Sequence, residues 1–341
     1  MTPPESSRPG SSSRRVFVVG STGYIGRHVV RECVRRGHEV IALARPRAGV
    51  GGAMDEAATR SLLEGAEVRF GDVTDARSVA GDGLRAERFD AVISCLASRT
   101  GAPRDARAID DGANRTVLSA AQRAGVEHFV LLSAICVQRP KLAFQRAKLS
   151  FEEALQSSGL RYSIVRPTAF FKSLSGQVRA VQEGRPFTVL GDGRLTACKP
   201  ISEGDLAAFL ADCLADPAKH DRVLPVGGPG AAITPREQGE LLFSLTGRPP
   251  RFRQVPVALL DGIIATLAAA GWVVPSLGDK AELARIGRYY ATESMLLWDP
   301  ASERYDADGT PSYGADTLEA FYARVLREGL AGQELGDHAV F

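Results

Sequence analysis

Val16-Phe17-Val18-Val19-Gly20-Ser21-Thr22-Gly23-Tyr24-Ile25-Gly26 stands near the start of the chain. The four apolar residues read as a buried strand, and the glycines after them as a tight turn into a helix from about Tyr24. Glycines at these spacings let the backbone close on a pyrophosphate. A helix beginning there aims its N-terminal amides at the same group. The order strand, glycine loop, helix therefore points to a dinucleotide held by Gly20, Thr22, Gly23, Tyr24, Ile25 and Gly26. The competing reading is an ordinary strand-to-helix turn.

Outward from this stretch, strand-like and helix-like segments alternate. Val16–Val19, Glu39–Ala44, Glu67–Phe70, Ala91–Leu96, Phe129–Ser133 and Tyr162–Val165 read as strands; Gly26–Arg36, Gly112–Ala124 and Phe144–Ser157 read as helices. Apolar strands separated by helices imply an α/β fold, a doubly wound (Rossmann) parallel sheet covered on both faces. Past Pro167 the pattern changes. Phe187–Leu190, a Gly191-Asp192-Gly193 turn and Leu195–Cys198 read as a hairpin. Ser202–Ala215 reads as a helix and Val223–Val226 as a strand that returns to the sheet. Thr234-Pro235-Arg236-Glu237 carries a helix-start signature, with Thr as cap, Pro in the first position and Glu closing a capping box. The expected organisation is a disordered tail over 1–14, a nucleotide domain over 15–170 rejoined by 200–230, and a smaller mixed substrate lobe from 171–199 and 231–341.

Bulk properties exclude several classes. Hydrophobic residues are 44% and charged residues 24% of 341, as in a packed globular protein. A net charge of +2 makes no polyanion-binding surface, so nucleic acid is not the expected partner. Cys33, Cys95, Cys136, Cys198 and Cys213 lie far apart with no CxxC pair, which argues against a zinc site or a disulfide framework and for a reducing, cytoplasmic setting. Gly262 to Val274 is uncharged but too short to span a bilayer. It reads as a buried helix or as a surface that touches a membrane or a large apolar ligand.

Charge at the end of the second strand bears on which nucleotide binds. An acidic residue there would bond the adenosine ribose hydroxyls and select NAD. Here the strand ends in Arg45, about 20 residues beyond Gly26, where a guanidinium fork suits a 2′-phosphate; NADPH is the expected cofactor. Asp72 and Val73, after the third strand, are placed to meet the adenine. Ser133 ends the fifth strand beside the expected cofactor path.

Phe144-Gln145-Arg146-Ala147-Lys148 follows, and with the glycine loop it resembles the short-chain dehydrogenase/reductase superfamily in its atypical, NmrA-like branch. That family's motif is Tyr-x-x-x-Lys on a helix. The resemblance implies that Lys148 bonds the nicotinamide ribose. It also implies that the tyrosine, which exchanges a proton with a substrate oxygen, is replaced by Phe144. A phenyl ring cannot protonate a ketone, which leaves two readings: a binding protein that senses NADP, or an enzyme that reduces a group without a carbonyl oxygen, such as a carbon–carbon double bond.

Longer segments sharpen the likeness. Leu131–Gln138, Val165–Leu174, Ala197–Ser202, Gly227–Gly230, Ile286–Met295 and Gly332–Gly336 are together similar to the NADPH-dependent 3,8-divinyl chlorophyllide 8-vinyl reductases. This resemblance implies reduction of an 8-vinyl group to ethyl on a magnesium tetrapyrrole, in chlorophyll or bacteriochlorophyll biosynthesis. Cys136 and Lys199 are then candidate proton donors. Phe170, Phe171, Tyr289, Tyr290 and Trp298 are candidate walls, and Lys172, Arg288 or Lys199 candidate partners for the propionate. The N-terminal tail, acidic at Glu5, does not look like a chloroplast transit peptide, so a bacterial, cytoplasmic protein is expected, with peripheral contact to a photosynthetic membrane. The rival readings are an isoflavone-reductase-like alkene reductase, an NADP-sensing regulator and an assembly factor that holds the nucleotide structurally.

Overall fold

The structure is a computed structural model that describes residues 13–271 and 275–329. In chain order the first half forms β1 (Arg15–Val19), α1 (Gly26–Arg35), β2 (Glu39–Ala44), α2 (Glu56–Leu62), β3 (Glu67–Phe70), α3 (Ala76–Ser78), β4 (Ala91–Ser94), α4 (Pro103–Ala106), α5 (Asn114–Arg123), β5 (His128–Leu132), α6 (Ala143–Gln156) and β6 (Arg161–Pro167). The second half forms α7 (Val178–Gln182), β7 (Phe187–Leu190), α8 (Glu203–Ala215), β8 (Arg222–Val226), α9 (Pro235–Leu245), β9 (Phe252–Val255), α10 (Val257–Gly271), α11 (Pro275–Thr292), β10 (Leu297–Asp299), β11 (Arg304–Asp306) and α12 (Leu318–Glu328). The tail segment 1–12 and Gly332–Gly336 lie outside the described residues.

Seven strands pair in parallel in the order β3-β2-β1-β4-β5-β6-β8. Their side chains alternate between two cores, as strand geometry requires. Val16 and Val18 of β1 join Val29, Val30 and Cys33 of α1 and Leu206, Leu210 and Leu214 of α8 on one face. Phe17 and Val19 join Val117, Leu118 and Ala121 of α5 and Phe151 and Leu155 of α6 on the other. Phe151 and Leu155 are fully buried, so truncating either to Ala would cost about 2–5 kcal/mol. The chain order reverses between β1 and β4, which opens a crevice at the carboxyl ends of those strands.

The expected hairpin over Phe187–Cys198 does not form. β7 pairs in parallel with β9, and Gly191 N donates to Val255 O at 2.9 Å. After the turn the chain leaves the strand, and Cys198 bridges Ile233 and Met295 instead. The glycine turn is real, since Gly193 N donates to Leu190 O, but the partner strand comes from 60 residues on, beyond reach of a local pattern. α9 starts as its signature predicts. Glu237 N donates to Thr234 Oγ1, and Glu237 Oε2 accepts from Thr234 N.

The helix expected over Gly112–Ala124 is longer at its start. Arg107–Ala113 forms a π-helical stretch between α4 and α5. Its wider turn leaves the Ile109 and Asp110 carbonyls to Asn114 Nδ2, at 3.3 and 3.0 Å. A third apolar cluster gathers Phe171, Val178, Phe187, Leu242, Phe321 and Tyr322 around α7, β7, α9 and α12.

α10 and α11 pack against each other. α10 holds one charged residue, Asp261; of its large apolar side chains Leu259 and Ile263 are exposed, at 55% and 42%, while Val257, Leu260, Ile264 and Leu267 are half-buried. Over 262–269 the helix is half-buried to exposed and not a core helix; residues 272–274 lie outside the described residues.

Candidate active site

The glycine loop sits between β1 and α1 at the chain reversal. Gly20 has φ +70°, and a Cβ there would stand 2.6 Å from the carbonyl carbon and oxygen of Cys95 at the end of β4. Gly26 rides on the loop, with the space for its Cβ taken by Gly20 O at 2.1 Å. Only glycine fits at either position. α1 has Ile25 at its cap and no side-chain cap; Arg27 N and His28 N already donate to Gly23 O and Ile25 O, at 3.2 and 2.9 Å, so an anion here would meet the glycine loop and the very start of the helix. Arg45 is exposed just past β2 and has no ion pair among the described residues. These features fit a dinucleotide with a phosphate near Arg45.

The other expected nucleotide residues are less directly presented. Tyr24 donates its hydroxyl to Glu203 Oε2 at 2.8 Å and lies under Lys172, whose Nζ is 4.8 Å from the ring centre. Burial and then Glu203 raise the Tyr24 phenol above its ordinary range. Asp72 is exposed and turns its carboxylate into its own loop, accepting from Thr74 N and Oγ1 at 2.8 and 2.7 Å. Val73 is half-buried and packs against the apolar core on the α5–α6 face of the sheet. Ser133 is buried, and its hydroxyl donates to Glu152, which also pairs with Arg166. That hydroxyl is committed to the core and not to the crevice.

Deeper in the crevice, α6 places Phe144 and Lys148 one turn apart. Lys148 Nζ lies 3.0 Å from Asp110 Oδ1, with the two side chains 11% and 0% exposed. Ser98 N also donates to Asp110 Oδ1, at 3.2 Å, while Asp110 Oδ2 is buried with no hydrogen-bond partner among the described residues. Asn114 ties this stretch to the sheet: Ser94 Oγ at the end of β4 donates to Asn114 Oδ1 at 2.6 Å. Lys148 is also close enough to the Cys95 and Cys136 thiols to favour their ionised forms. Burial outweighs it, pushing Cys95 up to about 12 and raising Cys136. Both are therefore thiols, not thiolates, at neutral pH.

Around this polar pair lies an apolar cluster of Ile135, Cys136, Phe144, Ala147, Cys198, Tyr289 and Met295, with Ile286 against it. Phe144 is 8% exposed, and its ring packs in this cluster beside Gly101, where a Cβ would come within 3.5 Å of Phe144 Cδ1. Tyr289 is 4% exposed and donates to Cys136 O at 3.0 Å, a tie between α11 and the segment after β5.

Several expected substrate residues are placed elsewhere. Lys199 donates its ammonium to Thr310 O at 3.0 Å and Ser312 Oγ at 3.2 Å, which removes it from the proton-donor position. Phe171 belongs to the third apolar cluster and lines a cavity of about 420 Å³ with His28, Glu203 and Arg324, one that includes neither Phe144 nor Cys136. Phe170 packs near Tyr24, with ring centres 6.2 Å apart. Arg288 is 41% exposed and pairs with Asp261 across the α10–α11 hairpin. Trp298 on β10 stacks under the Arg139 guanidinium at 4.0 Å. Sequence reasoning missed Asp110, Asn114 and Gly101. Asp110-Asp111 resembles a solvated face, and only the π-helical turn swings Asp110 inward.

The glycine loop at a chain reversal of a parallel sheet defines an NAD(P)H-binding protein. The pattern of the NAD(P)H-binding domain family matches residues 20–217, and this chain belongs to that class. The fold is shared with a leucoanthocyanidin reductase solved with NADPH from Vitis vinifera, at TM-score 0.67 and 14% identity, over 92% of this chain and all of that one. More narrowly, the chain is 54% identical over 335 residues to the divinyl chlorophyllide a 8-vinyl-reductase of Oryza sativa subsp. indica, covering 97% of this chain and 83% of the relative. It is 54% identical over 332 residues to the enzyme of the same name from Arabidopsis thaliana, covering 94% and 79%. The chain is a member of the divinyl chlorophyllide a 8-vinyl-reductase family.

Proposed function

We propose that this protein reduces the 8-vinyl group of a divinyl chlorophyllide or protochlorophyllide to ethyl, with NADPH as reductant, in bacteriochlorophyll synthesis. The observation that carries this reading is the 54% identity to named 8-vinyl reductases over nearly the whole chain. Phe144 stands where the Tyr-x-x-x-Lys motif has its phenol, so α6 itself carries no acidic group for the usual alcohol–carbonyl exchange, in keeping with this reading.

Bound NADPH would supply the hydride. The chain's own residues bind and orient. Gly20, Gly23 and Gly26 would let the pyrophosphate approach α1, and Arg45 would hold the 2′-phosphate. Lys148, held by Asp110, would bond the nicotinamide ribose. Phe144, Cys136, Ile286 and Tyr289 form an apolar wall that keeps water from the vinyl group. When hydride reaches the terminal vinyl carbon, negative charge spreads into the macrocycle, which does part of what an oxyanion hole does for a carbonyl. Orientation and exclusion of water remain the protein's main tasks.

We also place the protein at the cytoplasmic surface of a photosynthetic membrane. Among the described residues no helix is long and apolar enough to cross a membrane. The exposed apolar side chains of α10 support surface contact instead, because such a face costs free energy when left in water.

The function is tested by mixing purified protein, NADPH and divinyl chlorophyllide and following the pigment's absorbance. A blue shift of the Soret band to that of the monovinyl pigment is expected. An unchanged spectrum with protein that binds NADPH would defeat the reading and favour a nucleotide-sensing regulator.

A further inference from the structure

α11 brings a phenol to the crevice from the far end of the chain. Glu282, Ile286 and Tyr290 recur at four-residue spacing and so lie along one side of this helix. Glu282 Oε1 accepts from Ala143 N, at 3.4 Å, at the start of α6. One turn on, Ile286 covers Gly101: a Cβ there would come within 2.7 Å of Ile286 Cδ1 and 3.5 Å of Phe144 Cδ1. The next residue on this side, Tyr290, therefore comes to the same pocket. Its ring is set edge-on to Tyr289 with centres 5.7 Å apart, and its hydroxyl stands beside the Cys136 thiol and in the field of Asp110.

Tyr289 and Tyr290 have different situations. Tyr289 is buried and fixed by backbone carbonyls of the segment after β5. Tyr290 is 39% exposed, yet its hydroxyl lies within reach of the buried Cys136 thiol. Burial of that end, then Cys136 and Asp110, hold the phenol well above its ordinary range and fully protonated at neutral pH. The pocket it enters also holds a buried carboxylate oxygen, Asp110 Oδ2, with no hydrogen-bond partner among the described residues. Such atoms are found where a fold serves a ligand and not its own stability.

We propose that the Tyr290 hydroxyl is the proton source for the vinyl carbon next to the ring, supplying from α11 the phenol that Phe144 lacks on α6. The proposal rests on the vinyl-reductase reading. In the step, hydride from NADPH forms the terminal C–H bond and the vinyl π pair moves to the inner carbon. That pair takes the proton from Tyr290 Oη as the O–H bond breaks. The phenolate, disfavoured beside Asp110, takes a proton at Oη from solvent water that enters the pocket as the product leaves. No other oxidant or reductant is needed.

The test compares wild type with Tyr290→Phe, which keeps the ring and its packing. Turnover of divinyl chlorophyllide should fall about 100-fold or more, the lower range for loss of a general acid. Binding of divinyl chlorophyllide to nucleotide-free protein, followed by quenching of pigment fluorescence, should stay within about threefold, since only a proton donor has been removed. Turnover within about threefold of wild type would overturn the assignment. Pigment binding weakened in proportion to the lost turnover would also overturn it, making Tyr290 a wall. An inactive wild type would overturn the vinyl-reductase reading and this assignment with it, whereas active wild type with active Tyr290→Phe overturns this assignment alone.

Discussion

Lys148 Nζ lies 3.0 Å from Asp110 Oδ1, and the other oxygen of that carboxylate has no hydrogen-bond partner among the described residues. The pair is almost wholly buried, and breaking such a pair leaves a charge that water cannot reach. Asp110 comes from the π-helical turn before α5 and Lys148 from α6, so the pair also holds the two walls of the crevice together.

Lys148→Met should therefore destabilise the nucleotide-free protein by about 3–5 kcal/mol, and Asp110→Leu by a similar amount. The double variant should recover part of this loss, because neither charge is then stranded. Urea unfolding of the three variants gives the coupling. Strictly additive losses would show that the two side chains do not act as a pair.

Arg45 is exposed at the end of β2 without an ion pair among the described residues. Arg45→Ala should weaken NADPH binding by about 1.5–3 kcal/mol, the range for a hydrogen bond to a charged group, and leave NADH binding nearly unchanged. Fluorescence titration with both nucleotides reads the preference directly. An equal loss for the two would place the 2′-phosphate elsewhere.

His128 makes the stability sensitive to acid. Its Nε2 meets Ser163 Oγ at 3.0 Å, and Ser163 Oγ donates to Lys219 O, so Nε2 carries the ring proton. Nδ1 is buried without a partner. Burial, and then neighbouring His220, lower the imidazole to about 3. A histidine depressed in the folded state contributes stability that is fully present above its unfolded value near 6.5 and is lost as pH falls toward its folded value. Stability should thus fall between pH 6.5 and 5 by about 1.4 kcal/mol per unit from this residue. His128→Gln should reduce the slope measured by urea unfolding by that amount. An unchanged slope would mean that His128 takes up its proton freely in the folded protein.

The glycine loop and the helix that carries Lys148 were legible because they are local. Val16–Gly26 contains its own strand, turn and helix start, and the Phe144–Lys148 spacing lies within one helical turn. The rest of the site depends on distant partners. Lys199 looked free until Thr310 and Ser312, over 100 residues on, took its ammonium. Tyr289 and Tyr290 are indistinguishable in sequence, and only the packing of α11 turns one to the backbone and the other to the crevice. Asp110 needed a π-helical turn, which no apolar period announces. The hairpin after Phe187 failed for the same reason: its turn was local and its partner strand was not.

The account stands most directly on what happens to the vinyl group. Purified protein, divinyl chlorophyllide and NADPH are incubated, and the extracted pigment is resolved by chromatography and mass spectrometry. The account predicts an ethyl-bearing pigment, heavier by two hydrogens, formed in equal amount to the NADP released. Divinyl pigment recovered unchanged from folded, NADPH-binding protein would contradict it.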